Sequence, residues 1–258
     1  MVQVKTVRAK NPKKVTSRQL NKLVPLDWGK DNLSQLFETL FDNLVATFAN
    51  STDEYAKLRE IDAVFIEIGS NMINAKPVMP AFFMMRCHSA LCAAFQLALS
   101  GQNSEAYVLT RSALEYAAYG NLIALDEKLV LTWLNRNTSA KAMDEQKKAF
   151  IVRKLREGLE KRDKDLATRW QRFYEEAIDF GAHPNQLAIM SSMQKEDGVD
   201  RTNWLQTFTQ PGSLSHTGAM KHAARVGLTC LLVFAHIYNA RFELLGLKPR
   251  LSELRKGL

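Results

Sequence analysis

The chain has 258 residues, of which 46% are hydrophobic, and only 12 glycines and 7 prolines, which suits one large helical core and disfavours a many-stranded sheet. The formal charge is +8, but residues 1–22 hold seven basic side chains and no acidic one, so the rest of the chain carries only about +1. This distribution excludes a strongly basic globular domain.

The cysteines and the hydropathy indicate a cytoplasmic protein without a membrane partner. Cys87, Cys92 and Cys230 lie in apolar stretches, so we expect buried thiols in a reducing compartment and no disulfide framework. The beginning of the chain lacks the apolar segment of a secretory signal. The longest uncharged apolar run, 226–240, is too short for the ~20 residues that cross a bilayer and indicates a core helix.

Three segments follow from these patterns. We predict a basic, flexible N-terminal arm over 1–24, a single helical-bundle domain over 25–248 and a C-terminal tail over 249–258. An arm of this kind is most often only a mobile terminus. Its functional alternative is an electrostatic attraction for phosphate that weakens with salt. The arm residues that would contact nucleic acid are Lys5, Arg8, Lys10, Lys13 and Lys14.

The first helix of the domain has the strongest amphipathic pattern. Asp31 or Asn32 can cap it, and Ser51 or Thr52 restarts the chain as a second helix that extends to about Gly69. Apolar residues at helical spacing give the first helix one apolar face, and we expect its partner to be the apolar stripe of the second helix, Leu58, Ile61, Val64, Phe65 and Ile68. The apolar residues of the first helix are Leu33, Leu36, Phe37, Leu40, Phe41, Leu44, Val45 and Phe48.

Two apolar helices follow, over about 80–100 and 104–124, and Gly101 between them predicts a tight αα-hairpin. The fold class is therefore all-α, an antiparallel helical bundle. The remaining elements are helices over about 126–136, 139–161, 163–180 and 214–245, and a small irregular or β-hairpin excursion at 187–211 with a turn at Asp197-Gly198.

Arg111, Glu115 and Tyr119 step along one side of the central helix at intervals of four. A core does not accept two charges without partners, so we expect this pair to be desolvated. It is either a structural ion pair that fixes helix register or a clamp for phosphate or carboxylate in which Glu115 orients Arg111. Trp133 and Arg136, on the next short helix, are further candidate binding residues.

The segment 180–185, FGAHPN, ends a later helix at a fixed corner, because Pro184 holds His183 extended and Asn185 can cap the next segment. A histidine in such a place is commonly structural, and its functional alternative is a general acid or base oriented by Asp179 or Tyr174. Asn185 beside it is a candidate binding residue.

The other four histidines are potential metal ligands by residue type. His216 and His222 are six residues apart beside Arg225, which is a poor zinc spacing, although all three remain candidate binding residues. His88 and Cys92 are four residues apart, but the apolar helix that contains them favours packing in the core. His236 lies in the apolar stretch LLVFAHIY, which favours a core histidine as well. We therefore predict no metal and no cofactor. No P-loop, dinucleotide fingerprint, nucleophile elbow or CxxC pair is present.

LTRSALEYAAY and YEEAIDFGAHPN resemble uncharacterised bacterial proteins of the HEPN-like helical superfamily, in which an R-S-x-x-E helix is paired with a later His-Pro corner. The resemblance covers about 80–245. It implies a helical bundle, frequent dimerisation and a setting among RNA-cleaving toxins, antitoxins or phage defence. The residues of this sequence that match the superfamily's candidate site by position are only Arg111, Glu115 and His183. In the nucleases of this superfamily an arginine is typically followed by a histidine after four to six intervening residues. No arginine of this sequence is followed by a histidine at that spacing, so the usual ribonuclease motif is missing.

Three hypotheses result. The first is a binding or regulatory protein that holds a nucleotide, RNA phosphate or protein partner in a buried pocket of Arg111, Glu115 and His183. The second is a metal-independent ribonuclease of nonstandard layout, with His183 and either His216 or His222 as acid and base. The third is a non-catalytic dimeric scaffold or neutralising partner.

Overall fold

The computed structural model describes residues 25–197 and 202–258 and confirms the all-α bundle. The predicted basic arm, with Lys5, Arg8, Lys10, Lys13 and Lys14, lies outside the described residues. The helices are α1 (Asn32–Asn50), α2 (Thr52–Ser70), α3 (Met79–Leu99), α4 (Asn103–Leu125), α5 (Lys128–Leu134), α6 (Ala140–Ala149), α7 (Val152–Glu160), α8 (Lys164–Ala177), α9 (Gln186–Met190), α10 (Leu214–Ile237), α11 (Asn239–Leu244) and α12 (Leu247–Lys256).

Helix α4 lies at the centre of the bundle, where it contacts α3, α7, α8 and α10. The predicted αα-hairpin of α3 and α4 is confirmed, and Gly101 between them has a φ of +83°, which residues with a side chain rarely adopt. Leu91, Leu114 and Phe234 are all fully buried, so three of these helices share one core. Within the described residues α3 alone is long and apolar enough to span a membrane, and half of it is buried, as in a core helix of a soluble protein.

Polar side chains begin several helices because they accept hydrogen bonds from free N–H groups of the first turn. Asp31, predicted as a cap, accepts from Leu33 and Ser34 at 2.9 Å. The other side chains that cap a helix in this way are Ser139, Asp163, Asn185 and Ser213. The starts of these helices are therefore determined locally by the sequence.

The single charged helix predicted over 139–161 is wrong, because the chain breaks between α6 and α7. Phe150 leaves helical geometry at φ −116° and ψ 30°, and Ile151 is extended. Phe150 is buried and stacks on Tyr119 with ring centroids 4.5 Å apart. Burial of this ring against α4 accounts for the break.

The predicted last helix ends early, and the predicted tail is helical. Tyr238 interrupts the chain after α10, and its hydroxyl donates to the Pro77 carbonyl at 2.8 Å. Helix α12 covers most of the segment expected to be a tail and buries Leu251. Arg250 donates to Glu60 of α2 at 2.7 Å, so this end of the chain is held on the bundle.

The predicted excursion contains a two-stranded antiparallel hairpin. Strand β1 (Met193–Asp197) pairs with β2 (Thr202–Gln206), with Met193 opposite Gln206 and Asp197 opposite Thr202. Every residue of β2 is exposed, so the hairpin projects from the bundle.

The apolar face of α1 is largely exposed, in contrast to the predicted packing. Only Leu36, Leu40 and Leu44 of its stripe are half-buried. The exposed members, at 46–59%, are Leu33, Phe37, Phe41, Val45 and Phe48. The apolar stripe of the second helix is buried instead, because α2 packs against α3 and α10. Helix α1 thus lies at the edge of the bundle and covers the core with one narrow side.

Candidate functional site

Arg111, Glu115 and Tyr174 form a closed triangle of hydrogen bonds between α4 and α8. Arg111 Nε donates to Glu115 Oε1 at 3.1 Å and to the Tyr174 hydroxyl at 3.2 Å. The Tyr174 hydroxyl donates to the same Glu115 oxygen at 3.0 Å. Arg111 also donates through Nη1 to the Ala182 carbonyl at 3.2 Å, which attaches the corner after α8 to α4.

This triangle is only partly desolvated, which corrects the expected burial of the pair. The Arg111 and Glu115 side chains are 31% and 37% exposed. Burial opposes the charge of Arg111, but Tyr174 and Glu115 outweigh it and raise the pKa of Arg111. Burial, followed by the Glu115 charge, raises the pKa of Tyr174. Nε and Nη1 of Arg111 thus hold Glu115, Tyr174 and the Ala182 carbonyl in fixed positions, so Arg111 orients Glu115.

Glu115 also lines a cleft of about 480 Å³. The structure brings three predicted binding residues, Tyr119, Trp133 and Arg136, together with Glu115 in this cleft. The other lining residues, which the sequence did not single out, are Phe83, Ser112, Tyr116, Gln146, Lys147 and Phe150. We call these ten residues the aromatic cleft.

Packing fixes the aromatic walls of the cleft. Tyr119 is stacked on Phe150 at 16°, and burial, followed by the charge of Glu115, raises the pKa of its hydroxyl. Trp133 meets Phe83 edge to face at 5.1 Å and keeps part of its surface in the cleft. Arg86 lies over the Tyr116 ring at 5.6 Å. Rings held in this way can receive a planar ligand with little loss of side-chain entropy.

The aromatic cleft contains charged side chains of both signs, and they differ in exposure. Glu115 is the half-buried acidic group, and Arg136 and Lys147 are exposed basic groups. Such a site offers stacking surfaces, a hydrogen-bond acceptor at the floor and two cations for an anionic substituent.

His183 lies elsewhere, at the exposed corner after a π-helical turn (Ile178–Ala182). It lines a second cavity of about 740 Å³ together with Tyr107, Phe180 and residues of the β-hairpin. Neither Arg111 nor Glu115 lines that cavity, so the single pocket of Arg111, Glu115 and His183 expected from the sequence divides into two. At this corner the hydrogen bond of Arg111 goes to the Ala182 carbonyl, beside His183.

Asn185, His216, His222 and Arg225 also lie outside the aromatic cleft. Asn185 caps α9 and donates to the Ile178 carbonyl at 2.9 Å. His216 is 3% exposed, and its Nδ1 accepts a bond from the Gly212 N–H at 3.0 Å. Arg225 donates to the Leu258 carbonyl at 2.9 Å. These contacts hold Asn185, His216 and Arg225 in place within the bundle.

His222 is enclosed between α4, α8 and α10. Its Nδ1 is 3.0 Å from Glu176 Oε2, and its Nε2 is 3.2 Å from Thr110 Oγ1. Burial lowers the pKa of His222. A bond with His222 lowers the pKa of Glu176. Because both ring nitrogens are occupied, this histidine cannot reach a substrate without local opening.

The core packing predicted for the pair His88 and Cys92, and for His236, is wrong. Cys92 is exposed, and His88 bonds to Asp62 on α2. His236 is also partly exposed, 3.6 Å from Asp163. The sequence could not predict this exposure, because it does not show which side of a largely apolar helix faces solvent. Cys87 and Cys230 are buried as predicted.

A scan of protein-family models finds no family that matches this chain, and searches of the curated proteins and of the solved structures likewise find no significant match.

Proposed function

We propose that this chain is a cytoplasmic HEPN-like binding protein whose aromatic cleft holds a nucleotide or one nucleotide unit of an RNA strand. The observation that carries the proposal is the meeting of Trp133 and Tyr116 with two cations and one carboxylate in a single cleft. The resemblance to the HEPN-like superfamily supports a toxin–antitoxin or phage-defence setting.

Each part of a nucleotide has a counterpart in the cleft. The partly exposed faces of Tyr116 and Trp133 suit a base, since base–aromatic stacking contributes about 1–3 kcal/mol and tolerates many sequences. Arg136 and Lys147 suit the phosphate. Glu115, held by Arg111 and Tyr174, suits an N–H group of the base or a ribose hydroxyl. The basic arm over 1–24 would add nonspecific attraction.

The cleft is tested by titrating the full chain with a labelled single-stranded oligoribonucleotide and with a nucleoside monophosphate over a salt series. We expect Trp133→Ala to weaken binding by about 1–3 kcal/mol, or roughly 5- to 150-fold, because stacking is lost. Arg136→Ala should weaken binding and reduce the salt slope by about one unit, because one phosphate contact is lost.

Two matched variants serve as controls. Trp204→Ala removes an exposed tryptophan of the hairpin, and Arg153→Ala removes an exposed arginine of α7, both outside the cleft. Both should bind as the unchanged protein does. Equal loss in the cleft variants and in their controls, or no loss in either cleft variant, would contradict the proposal.

The geometry favours this binding function over the ribonuclease layout. That layout requires His183 and either His216 or His222 to approach one phosphate. His183 is exposed in the hairpin cavity, whereas His216 and His222 are both 3% exposed and held by internal bonds. Two groups that exchange protons with one substrate must both reach it.

A second function, dimeric assembly, is favoured by the exposed face of α1. Leu33, Phe37, Phe41, Val45 and Phe48 form a stripe about 22 Å long on one side of this helix. Soluble monomers rarely expose a continuous apolar patch of this kind. We propose that two copies pair through this stripe, because the same patch on each copy is self-complementary about a two-fold axis.

We expect Phe41→Glu to convert a dimer of the full chain into a monomer, because it places two charges in the centre of the proposed interface. Light scattering after size exclusion measures the mass, and circular dichroism checks the fold. Leu131→Glu, at an equally exposed position of α5, should leave the dimer intact. A monomeric unchanged protein, or a Phe41→Glu dimer, would show that the stripe is covered by something other than a second copy.

A further inference from the structure

Asp62, His88 and Cys92 form a polar cluster between α2 and α3, apart from both cavities described above. His88 and Cys92 share one face of α3 because they are four residues apart, and Asp62 lies opposite them on α2. Asp62 Oδ1 is 2.7 Å from His88 Nε2 and 3.6 Å from Cys92 Sγ. The three potential ligand atoms all lie within 4.8 Å of one another.

The cluster is both oriented and accessible. The His88 ring is stacked on Phe65, with centroids 5.0 Å apart and planes within 5°, and Phe65 is itself buried. The imidazole is thereby directed at Asp62. The side chains of His88 and Asp62 are 24% and 37% exposed, and Cys92 is exposed, so an ion can enter from solvent.

The arrangement is unsuited to nucleophilic catalysis. A catalytic cysteine requires a base that takes its proton, but here the thiol and the imidazole both bond to the same carboxylate oxygen.

We propose that Asp62, His88 and Cys92 bind one zinc ion, with water as the fourth ligand. Nitrogen, oxygen and sulfur donors together match zinc, whereas magnesium and calcium prefer oxygen alone. Tetrahedral zinc, with bonds of about 2.0–2.3 Å, holds its ligand atoms roughly 3.3–3.7 Å apart. Asp62 and Cys92 already have this separation. The 2.7 Å between Asp62 and His88 must lengthen to about 3.3 Å, as expected when metal bonds replace their hydrogen bond.

Zinc binding replaces the protons that now hold the cluster together. The ion bonds to Asp62, to His88 Nε2 and to the Cys92 sulfur. The thiol proton passes to solvent, and the proton that Nε2 now shares with Asp62 is exchanged through solvent to Nδ1, so that neutral imidazole binds the metal. The ion cross-links α2 to α3, so it stabilises the folded chain by mass action. The solvent-facing fourth position, like that of other three-ligand zinc sites, can exchange its water for a small anion.

The test is a titration of the full chain with Co²⁺ under reducing, anaerobic conditions, followed by displacement with Zn²⁺. We expect one equivalent of Co²⁺ to give the intense visible bands of a tetrahedral site and an ultraviolet thiolate-to-metal band, both abolished by Zn²⁺. The melting temperature should rise with zinc. A weak octahedral spectrum, or no saturation at one equivalent, would overturn the proposal.

Variants locate the site. Cys92→Ser should abolish the thiolate band, and His88→Ala should weaken Zn²⁺ binding by more than about 100-fold, since even outer partners of a metal site contribute 10- to 100-fold. His236→Ala is a matched control, because His236 faces Asp163 without a cysteine in the cluster. A thiolate band that persists in Cys92→Ser, or equal losses in the two histidine variants, would assign the metal to another site.

Discussion

Trp170→Ala is expected to lower the free energy of unfolding by about 3–5 kcal/mol, a large part of the stability of a typical domain. Trp170 on α8 is fully buried. Its indole Nε1 donates to the Leu114 carbonyl of α4 at 3.0 Å, and its ring stacks on Tyr174 at 5.0 Å. The substitution leaves a cavity between these helices and removes the wall that holds Tyr174 against Arg111.

Chemical denaturation of both proteins, followed by far-ultraviolet circular dichroism, measures this loss. Trp204→Ala makes the same chemical change on β2, where the side chain is 54% exposed, and should alter stability by no more than about 0.5 kcal/mol. Trp170→Phe should lie between the two, because it keeps most of the volume and loses the hydrogen bond. Equal effects of Trp170→Ala and Trp204→Ala would show that α8 does not pack on α4 as described.

The helices themselves were predictable because their signals are local. Caps such as Asp31 and the left-handed Gly101 determine helix ends through contacts within a few residues. The breaks at Phe150 and Tyr238 were not predictable. Each depends on a distant partner, the Tyr119 ring and the Pro77 carbonyl respectively, and no local pattern encodes either contact.

The candidate site was predictable only within single elements. The four-residue spacing of Arg111, Glu115 and Tyr119 placed them on one side of α4, and the structure confirms their neighbourhood. The position of His183 depends on the direction of the chain after α8, which the spacing does not contain. The bond between Asp62 and His88 similarly depends on the register of α2 against α3.

The stripe on α1 shows a different limit. Its amphipathic spacing correctly predicted a helix with one apolar side. Spacing does not identify what covers that side, and most of the α1 stripe faces away from the core. An apolar stripe is therefore evidence for burial in some assembly, and the partner must be found by experiment.

Gly181→Ala is expected to lower the free energy of unfolding by about 2–3 kcal/mol, because a side chain at this position has no space. A Cβ there would lie 2.1 Å from the Ser104 carbonyl oxygen and 2.8 Å from its carbon, and neither backbone atom can turn away. The corner after α8 would have to move off the start of α4. That movement breaks the bond between Arg111 and the Ala182 carbonyl.

Denaturation measures the stability loss, and hydrogen exchange over 178–185 measures the release of the corner. Gly69→Ala is the matched control, because a Cβ at Gly69 in α2 meets nothing within 4 Å. It should leave stability unchanged or raise it by up to about 1 kcal/mol. If Gly181→Ala lowers stability and frees the corner while nucleotide binding persists, the aromatic cleft acts independently of the His183 corner. Unchanged stability in Gly181→Ala would contradict the close approach of the corner to α4.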